Sequence, residues 1–230
     1  GLIAPILFSL LPCKTTRLCF EIDGSFPNHE ANPLIEENRR DLIGNVRAHD
    51  ADAGIAWDGD ADRCFFVDGN GEFVPGDFVT ALLAESFLRK EAGATILYDV
   101  RASRAVSDVV SSFGGTALMN RVGHAFFKRR MRKENAVFGG EVTGHYYFRE
   151  NFFADNGFIP ALLLLELMSI RQQTLSQLLS PLRATYFISG EINTEMPNMD
   201  AVRETIKGIA LKYKDADVFR MDGISVEYDS

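Results

Sequence analysis

The sequence predicts an α/β fold laid out as consecutive units. Three observations carry that reading. Short apolar runs alternate with longer stretches of helical periodicity. Glycine-rich turn signals separate them, as at Asp68-Gly69-Asn70-Gly71 and Gly114-Gly115. The composition, 46% hydrophobic and 24% charged over 230 residues, is that of a globular chain able to fill a sizeable core.

The elements follow in order. Gly1 to Pro12 is apolar and reads as a buried helix, and Leu18 to Ile22 as a strand. Asp23 to His29 is turn-rich. Glu36 to Asp50 has a polar-faced helical pattern with Leu42, Ile43 and Val46 on its apolar side. Ala53 to Trp57 and Cys64 to Val67 are short strands on either side of an acidic loop. Phe78 to Arg89 is a helix with Asp77 as its expected N-cap. A second unit offers the strands Thr95 to Val100, Thr116 to Met119 and Val137 to Gly139. Its helices are Ala105 to Phe113, Ala125 to Lys133 and Pro160 to Gln172, the last opened by proline in its first turn. A third unit begins near Tyr186 with a strand through Ile192. It continues with a helix from Ala201 to Lys214, capped by Asp200, and ends on the strand-like run Gly223 to Tyr228. Two strands and one helix cannot bury their apolar faces alone, so a continuation of this unit is expected.

Bulk properties exclude several classes. A net charge of −8 argues against a nucleic-acid surface. The opening run lacks a basic n-region and a small-residue cleavage site, and it is too short to span a bilayer. Cys13, Cys19 and Cys64 are an odd set without a C-x-x-C, which points to buried or semi-buried free thiols in a reducing cytoplasm rather than a disulfide framework or zinc site. The run Lys128, Arg129, Arg130, Arg132 and Lys133 reads as a solvated helix face, and Phe152 and Phe153 as core or interface packing.

Chemistry concentrates in two loops. Asp58, Asp60 and Asp62 alternate between two strands, a spacing that can aim three carboxylates at one hard cation. An EF-hand requires glycine at the sixth position and glutamate at the twelfth, and here those positions hold Arg63 and Gly69. A phosphatase aspartate pair needs a helix to follow, and here a strand follows. Three carboxylates beside Arg63 suit Mg²⁺ and a phosphoryl group, with the guanidinium as a bidentate clamp. A solvated acidic turn is the competing description. The second loop, Gly139-Gly140-Glu141-Val142-Thr143-Gly144-His145, lets the backbone approach a ligand closely. Glu141 and Thr143 alternate and can face vicinal sugar hydroxyls, and His145 can transfer a proton near neutral pH. Arg101 and Arg121-Val122-Gly123-His124 follow the ends of other strands, where open α/β sheets bind ligands.

With those residues in view, the chain resembles the α-D-phosphohexomutase superfamily, in particular its bacterial phosphomannomutase/phosphoglucomutase branch. Asp58-Gly59-Asp60-Ala61-Asp62-Arg63 is similar to the metal loop D-G-D-[GA]-D-R. Gly140 to Phe148 resembles the sugar loop G-E-M-S-[GA]-H-H-Y-F, and Arg121 to His124 a K-[TV]-G-H segment. Asp23 to His29 and Ser189-Gly190-Glu191-Ile192-Asn193 also have counterparts, all in the family's order. The resemblance implies consecutive mixed-sheet α/β domains followed by an incomplete α+β domain: residues 1–74 as the second of four domains, 75–184 as the third, and 185–230 as the start of the fourth. It implies Mg²⁺ on Asp58, Asp60 and Asp62 with Arg63 beside them, sugar hydroxyls on Glu141 and Thr143, proton transfer by His145, and substrate or phosphate contacts from His124 and Arg101. Arg101 stands where several relatives have lysine, Thr143 where serine is commoner, and Val142 where methionine is usual.

The implied reaction converts mannose 6-phosphate to mannose 1-phosphate, and glucose phosphates likewise, through a phosphoserine and a bisphosphorylated sugar. Glucose or mannose 1,6-bisphosphate would be the activator and a hexose phosphate the substrate, with no nucleic acid, no membrane and a cytoplasmic location. The serine loop T-A-S-H-N-P and the phosphate loop R-x-S-N-T-E are not in this sequence. The expectation is therefore that the chain needs the other domains of its polypeptide for turnover. A non-catalytic module for Mg²⁺ and sugar phosphate is one alternative. A phosphoglucosamine mutase is another, although Val142 does not match the glutamine of G-E-Q-S-G-H.

Overall fold

The computed structural model describes residues 2–190, 192 and 194–228. A short helix, α1 (Ile3–Ser9), opens it, and α2 (Arg40–Ala48) follows a long irregular stretch and one 3-10 turn at Glu37–Arg39. α2 buries Val46 and half-buries Leu42 and Ile43, the face its apolar spacing predicts. Two expectations fail here. α1 is helical, but Ala4 is its one buried residue, and Leu2, Ile3, Ile6 and Leu10 face outward. Leu18 to Ile22 forms no strand, because no segment among the described residues pairs with it; it is an irregular wall beside β1.

β1 (Ala53–Trp57), β2 (Cys64–Asp68) and β3 (Phe73–Val74) make an antiparallel sheet in that order. Trp57 faces Cys64 across the ladder, so residues 58–63 are the loop that closes the hairpin. The expected turn after β2 is present, with Gly71 N–H donating to the Asp68 carbonyl at 2.9 Å. α3 (Gly76–Lys90) then runs into the interior. Pro75, not Asp77, is its N-cap. Asp77 lies buried inside the first turn and accepts from the Ser103 N–H (3.0 Å) and hydroxyl (2.5 Å). α3 is apolar nearly all round and is buried accordingly, with Val79, Ala81, Leu83 and Ala84 fully enclosed.

A mixed five-stranded sheet follows, built from β4 (Thr95–Asp99), β5 (Thr116–Asn120), β6 (Phe138–Gly140), β7 (Tyr146–Phe148) and β8 (Ala154–Asp155) in the order β5-β4-β6-β7-β8. β4 is parallel to β5 and β6, and α4 (Arg104–Ser112) and α5 (His124–Glu134) supply the crossovers that parallel pairing requires. β7 and β8 return antiparallel. The carboxyl ends of β5, β4 and β6 therefore share one edge, and the loops leaving that edge carry Arg121 to His124, Arg101 and Glu141 to His145. α6 (Phe158–Arg171) and α7 (Leu175–Thr185) pack on α3. One core unites Phe66 and Val74 of the first sheet with α3, Ile96, Phe138, Leu164 and Leu175. A second, smaller core of Leu97, Phe127, Met131, Ala136 and Tyr147 lies under α5.

The last segment holds α8 (Met199–Lys212) and the antiparallel pair β9 (Asp217–Phe219) and β10 (Ser225–Glu227). Asn198, not Asp200, caps α8, accepting from the Ala201 N–H at 2.9 Å. The strand expected from Tyr186 is absent through Gly190; Glu191 of that expectation and Asn193 of the Ser189 to Asn193 segment lie outside the described residues, as does Gly1. α8 buries none of its residues. Cys13 and Cys19 are exposed where burial was expected, and Cys64 is buried; all three are free. Among the described residues, no helix is long and apolar enough to cross a membrane.

Candidate functional site

The acidic loop is shaped by its own side chains. Asp58 follows directly on β1 and is nearly enclosed. Its Oδ1 accepts the Arg63 backbone N–H at 3.1 Å, and its Oδ2 accepts the Arg63 Nε–H at 2.7 Å. Ala61, at φ 61°, turns the chain, and its N–H donates to the Asp58 carbonyl. The result is a tight six-residue loop with Asp60 exposed and Asp62 half-buried. Gly157 presses on it from outside. A Cβ there would come within 2.5 Å of the Ala61 carbonyl oxygen and 3.0 Å of that of Arg63. The Gly157 carbonyl accepts from the Trp57 indole at 2.8 Å.

The second loop is stitched to the first by main-chain atoms. Arg63 and His145 form an antiparallel bridge, and the Cys64 N–H donates to the Gly144 carbonyl at 3.0 Å. Gly144, at φ 87°, supplies the left-handed turn, and any Cβ there would strike the Phe65 ring. Glu141 is buried, with 2% of its surface exposed. Its carboxylate is fixed by the Tyr147 hydroxyl, which donates to Oε1 at 2.8 Å, and by the Thr143 hydroxyl, which donates to Oε2 at 3.2 Å. His145 sits between the loops. Its Nε2 is 3.6 Å from Asp62 Oδ2, and its Nδ1 is 3.4 Å from Thr143 Oγ1 and 3.9 Å from Glu141 Oε2.

Electrostatics bear on what the site can hold. Burial pushes the Asp62 carboxyl up to about 6, helped by the charges of Asp58, Asp60 and Asp155 and opposed by Arg63. Oxygens of Asp58, Asp60 and Asp62 lie within 4.8 Å of one another. An all-oxygen donor set with crowded negative charge fits a hard divalent cation such as Mg²⁺. Burial pulls His145 below the usual imidazole value, with Glu141 and Asp155 opposing and Arg63 assisting, so the ring is neutral at pH 7. Burial and the Glu141 charge keep Tyr147 protonated.

Seven of the residues singled out in the sequence thus converge: Asp58, Asp60, Asp62, Arg63, Glu141, Thr143 and His145. Arg101 joins them through Asp99, whose carboxylate accepts from Arg101 and from the Val142 N–H. His124 begins α5 on the same sheet edge, exposed, without a recorded contact to the cluster. Asp155 was missed. It groups with Asp62 and His145 as a second set of possible ligands, and Lys128 pairs with it at 2.8 Å. Lys128 is therefore not part of a purely solvated face. Phe152 is 86% exposed and so is not a core residue, whereas Phe153 packs on the smaller core. A cavity of about 400 Å³ opens on the far side of the acidic loop, lined by Asp58, Gly59, Ala61, Asp23, Phe26 and His29, and Glu141 and His145 do not line it.

Comparison with known proteins gives a consistent result. The family models for phosphoglucomutase/phosphomannomutase alpha/beta/alpha domains II and III match residues 1–71 and 75–186. A phosphomannomutase of Vibrio cholerae is 44% identical over 222 residues, which are 95% of this chain and 47% of that protein. A protein of Xanthomonas campestris named "Phosphohexose mutases" is 40% identical over 230 residues, 99% of this chain and 51% of its own length. The crystal structure of a phosphoglucomutase/phosphomannomutase family protein from Burkholderia thailandensis superposes with a TM-score of 0.85 at 32% identity, covering 98% of this chain and 48% of that one. The chain thus spans about half the length of the curated relatives it matches. Two matched domains, the mixed sheet and the paired loops lead to one conclusion: the chain belongs to the phosphoglucomutase/phosphomannomutase family.

Proposed function

We propose that this chain carries the metal and sugar-recognition loops of a hexose-phosphate mutase that interconverts mannose 6-phosphate and mannose 1-phosphate, with glucose phosphates as further substrates. The observation that carries the reading is the main-chain seam between the two loops, which leaves Asp62 and His145 3.6 Å apart on one face with Glu141. Asp58, Asp60 and Asp62 hold Mg²⁺, which when bound neutralises charge on a transferring phosphoryl group. Arg63, steadied by Asp58, would pair with that phosphoryl group. Glu141 and Thr143 accept and donate hydrogen bonds to vicinal hydroxyls of the sugar. The neutral His145 takes or returns the proton of the hydroxyl that reacts. Positioning and charge neutralisation supply most of the rate in phosphoryl transfer, so fixed carboxylates and hydroxyls are the relevant equipment. A phosphoserine donor and a second phosphate-binding loop come from the rest of the polypeptide, and glucose or mannose 1,6-bisphosphate primes the serine.

The test is a coupled assay on the full-length gene product with mannose 1-phosphate, glucose 1-phosphate and glucosamine 1-phosphate. Magnesium-dependent turnover of the first two is expected, and none from the 230 residues alone. Turnover confined to glucosamine 1-phosphate, or no turnover of any of the three, would overturn the assignment.

A further inference from the structure

Asp99 is a fully buried carboxylate at the carboxyl end of β4, the middle strand of the parallel trio. A buried charge persists only where partners satisfy it. Its recorded partners lie on two loops. Oδ1 accepts the Arg101 backbone N–H at 2.7 Å and the Arg101 Nε–H at 3.4 Å. Oδ2 accepts from Arg101 Nη2 at 3.1 Å and from the Val142 N–H at 2.8 Å. The guanidinium therefore meets Asp99 through its Nε–Nη2 edge. Its side chain is 35% exposed, and no partner of Nη1 is recorded among the described residues. An arginine gripped along one edge presents the other at a fixed angle, and that free edge matches the geometry of a phosphate monoester. Val142 lies between Glu141 and Thr143, so the same carboxylate registers the sugar loop against the guanidinium.

We propose that Asp99 is a positioning residue, which makes Arg101 an oriented phosphate clamp and sets its distance from the Glu141–His145 loop. The inference rests on the hexose-phosphate reading of the site. It is tested in the full-length gene product with Asp99→Asn, Arg101→Ala, the double variant and Arg101→Lys. Asp99→Asn is expected to raise KM for the hexose phosphate about tenfold, with a smaller change in kcat. The double variant is expected to match Arg101→Ala alone, because the amide oxygen left by Asp99→Asn can still accept the Val142 N–H and the carboxylate's remaining effect runs through the guanidinium. Arg101→Lys keeps the charge but loses the two-edged geometry, and its KM is expected to rise as well. Independent, multiplicative losses in the double variant would overturn the proposal, as would an unchanged KM in Asp99→Asn. If Asp99→Asn does not fold, Arg101→Lys decides, and a wild-type KM there sinks the idea. Inactivity of the wild type would instead count against the functional reading, which separates the two failures.

Discussion

Asp62 is the residue on which the two loops meet. It belongs to the trio with Asp58 and Asp60, and also to the group with His145 and Asp155. Trp57, the single tryptophan of the chain, adjoins Asp58 and donates to Gly157 on the far side of the loop, so its emission reports on the loop's packing. A magnesium titration followed by that emission is expected to saturate in the wild type. In Asp62→Asn its midpoint is expected to move upward by about tenfold or more, since one charged ligand is gone. A midpoint that does not move would remove Asp62 from the ligand set. Asp155, by contrast, could not be read from the sequence. It lies on β8, far along the chain from the acidic loop, and no local spacing links the two. Only the return of β7 and β8 against β6 brings it under His145. Lys128 was misread for the same reason: its partner is a long-range neighbour, whereas a run of basic residues is normally solvated.

At the scale of elements, periodicity served best where segments were long and one-sided. α4 and α5 and the strands β1, β2, β4 and β5 fall where their apolar spacing puts them, within a residue or two, whereas α2 starts four residues later than expected, after a 3-10 turn at Glu37–Arg39. The three-residue strand β7 was hidden inside what read as a loop, because Tyr146, Tyr147 and Phe148 are all buried and show no alternation. α7 carries Pro181 in its interior, which masked it, although Thr174 and Gln177 form a capping box that announces its start. The contact between α3 and β6 sets where the Glu141 loop leaves the sheet. It is tight enough that a Cβ at Gly140 would fall on the Thr80 side chain, itself buried and donating to the Gly76 carbonyl. Gly140→Ala is therefore expected to cost about 1–3 kcal/mol through overpacking. Urea denaturation should show a lowered midpoint with an unchanged slope, and a wild-type midpoint would mean that the two elements can part without cost.

Across the whole molecule, one buried ion pair fastens the first sheet to the helical layer. Asp68, at the end of β2, accepts from Arg183 of α7 at 2.5 Å. Burial pushes the Asp68 carboxyl up, but the hydrogen bonds from Arg183, Glu72 and Ser176 and the Arg183 charge outweigh it, and the net shift is downward. A carboxyl depressed in the folded state adds stability above its unfolded value near 4, and that increment is lost as pH falls through the folded value. Thermal melts of the wild type are therefore expected to weaken steeply below about pH 4. Asp68→Asn should follow pH less there, yet be less stable at pH 7 by the lower end of about 3–5 kcal/mol, because it strands a largely buried guanidinium. Parallel curves for the two proteins would show that the pair contributes nothing to acid sensitivity. At this scale the sequence conveyed the order of the units, but not that Phe66 and Val74 share a core with Leu164 and Leu175, since such packing depends on how sheets and helices stack.

The bridge between Arg63 and His145 uses peptide groups, which every residue possesses. On the proposed reading, exchanging the side chains at Val142 or Thr143 would alter which hydroxyl pattern is welcomed while the cation keeps its place, so sugar preference and ion placement would be free to diverge by separate substitutions.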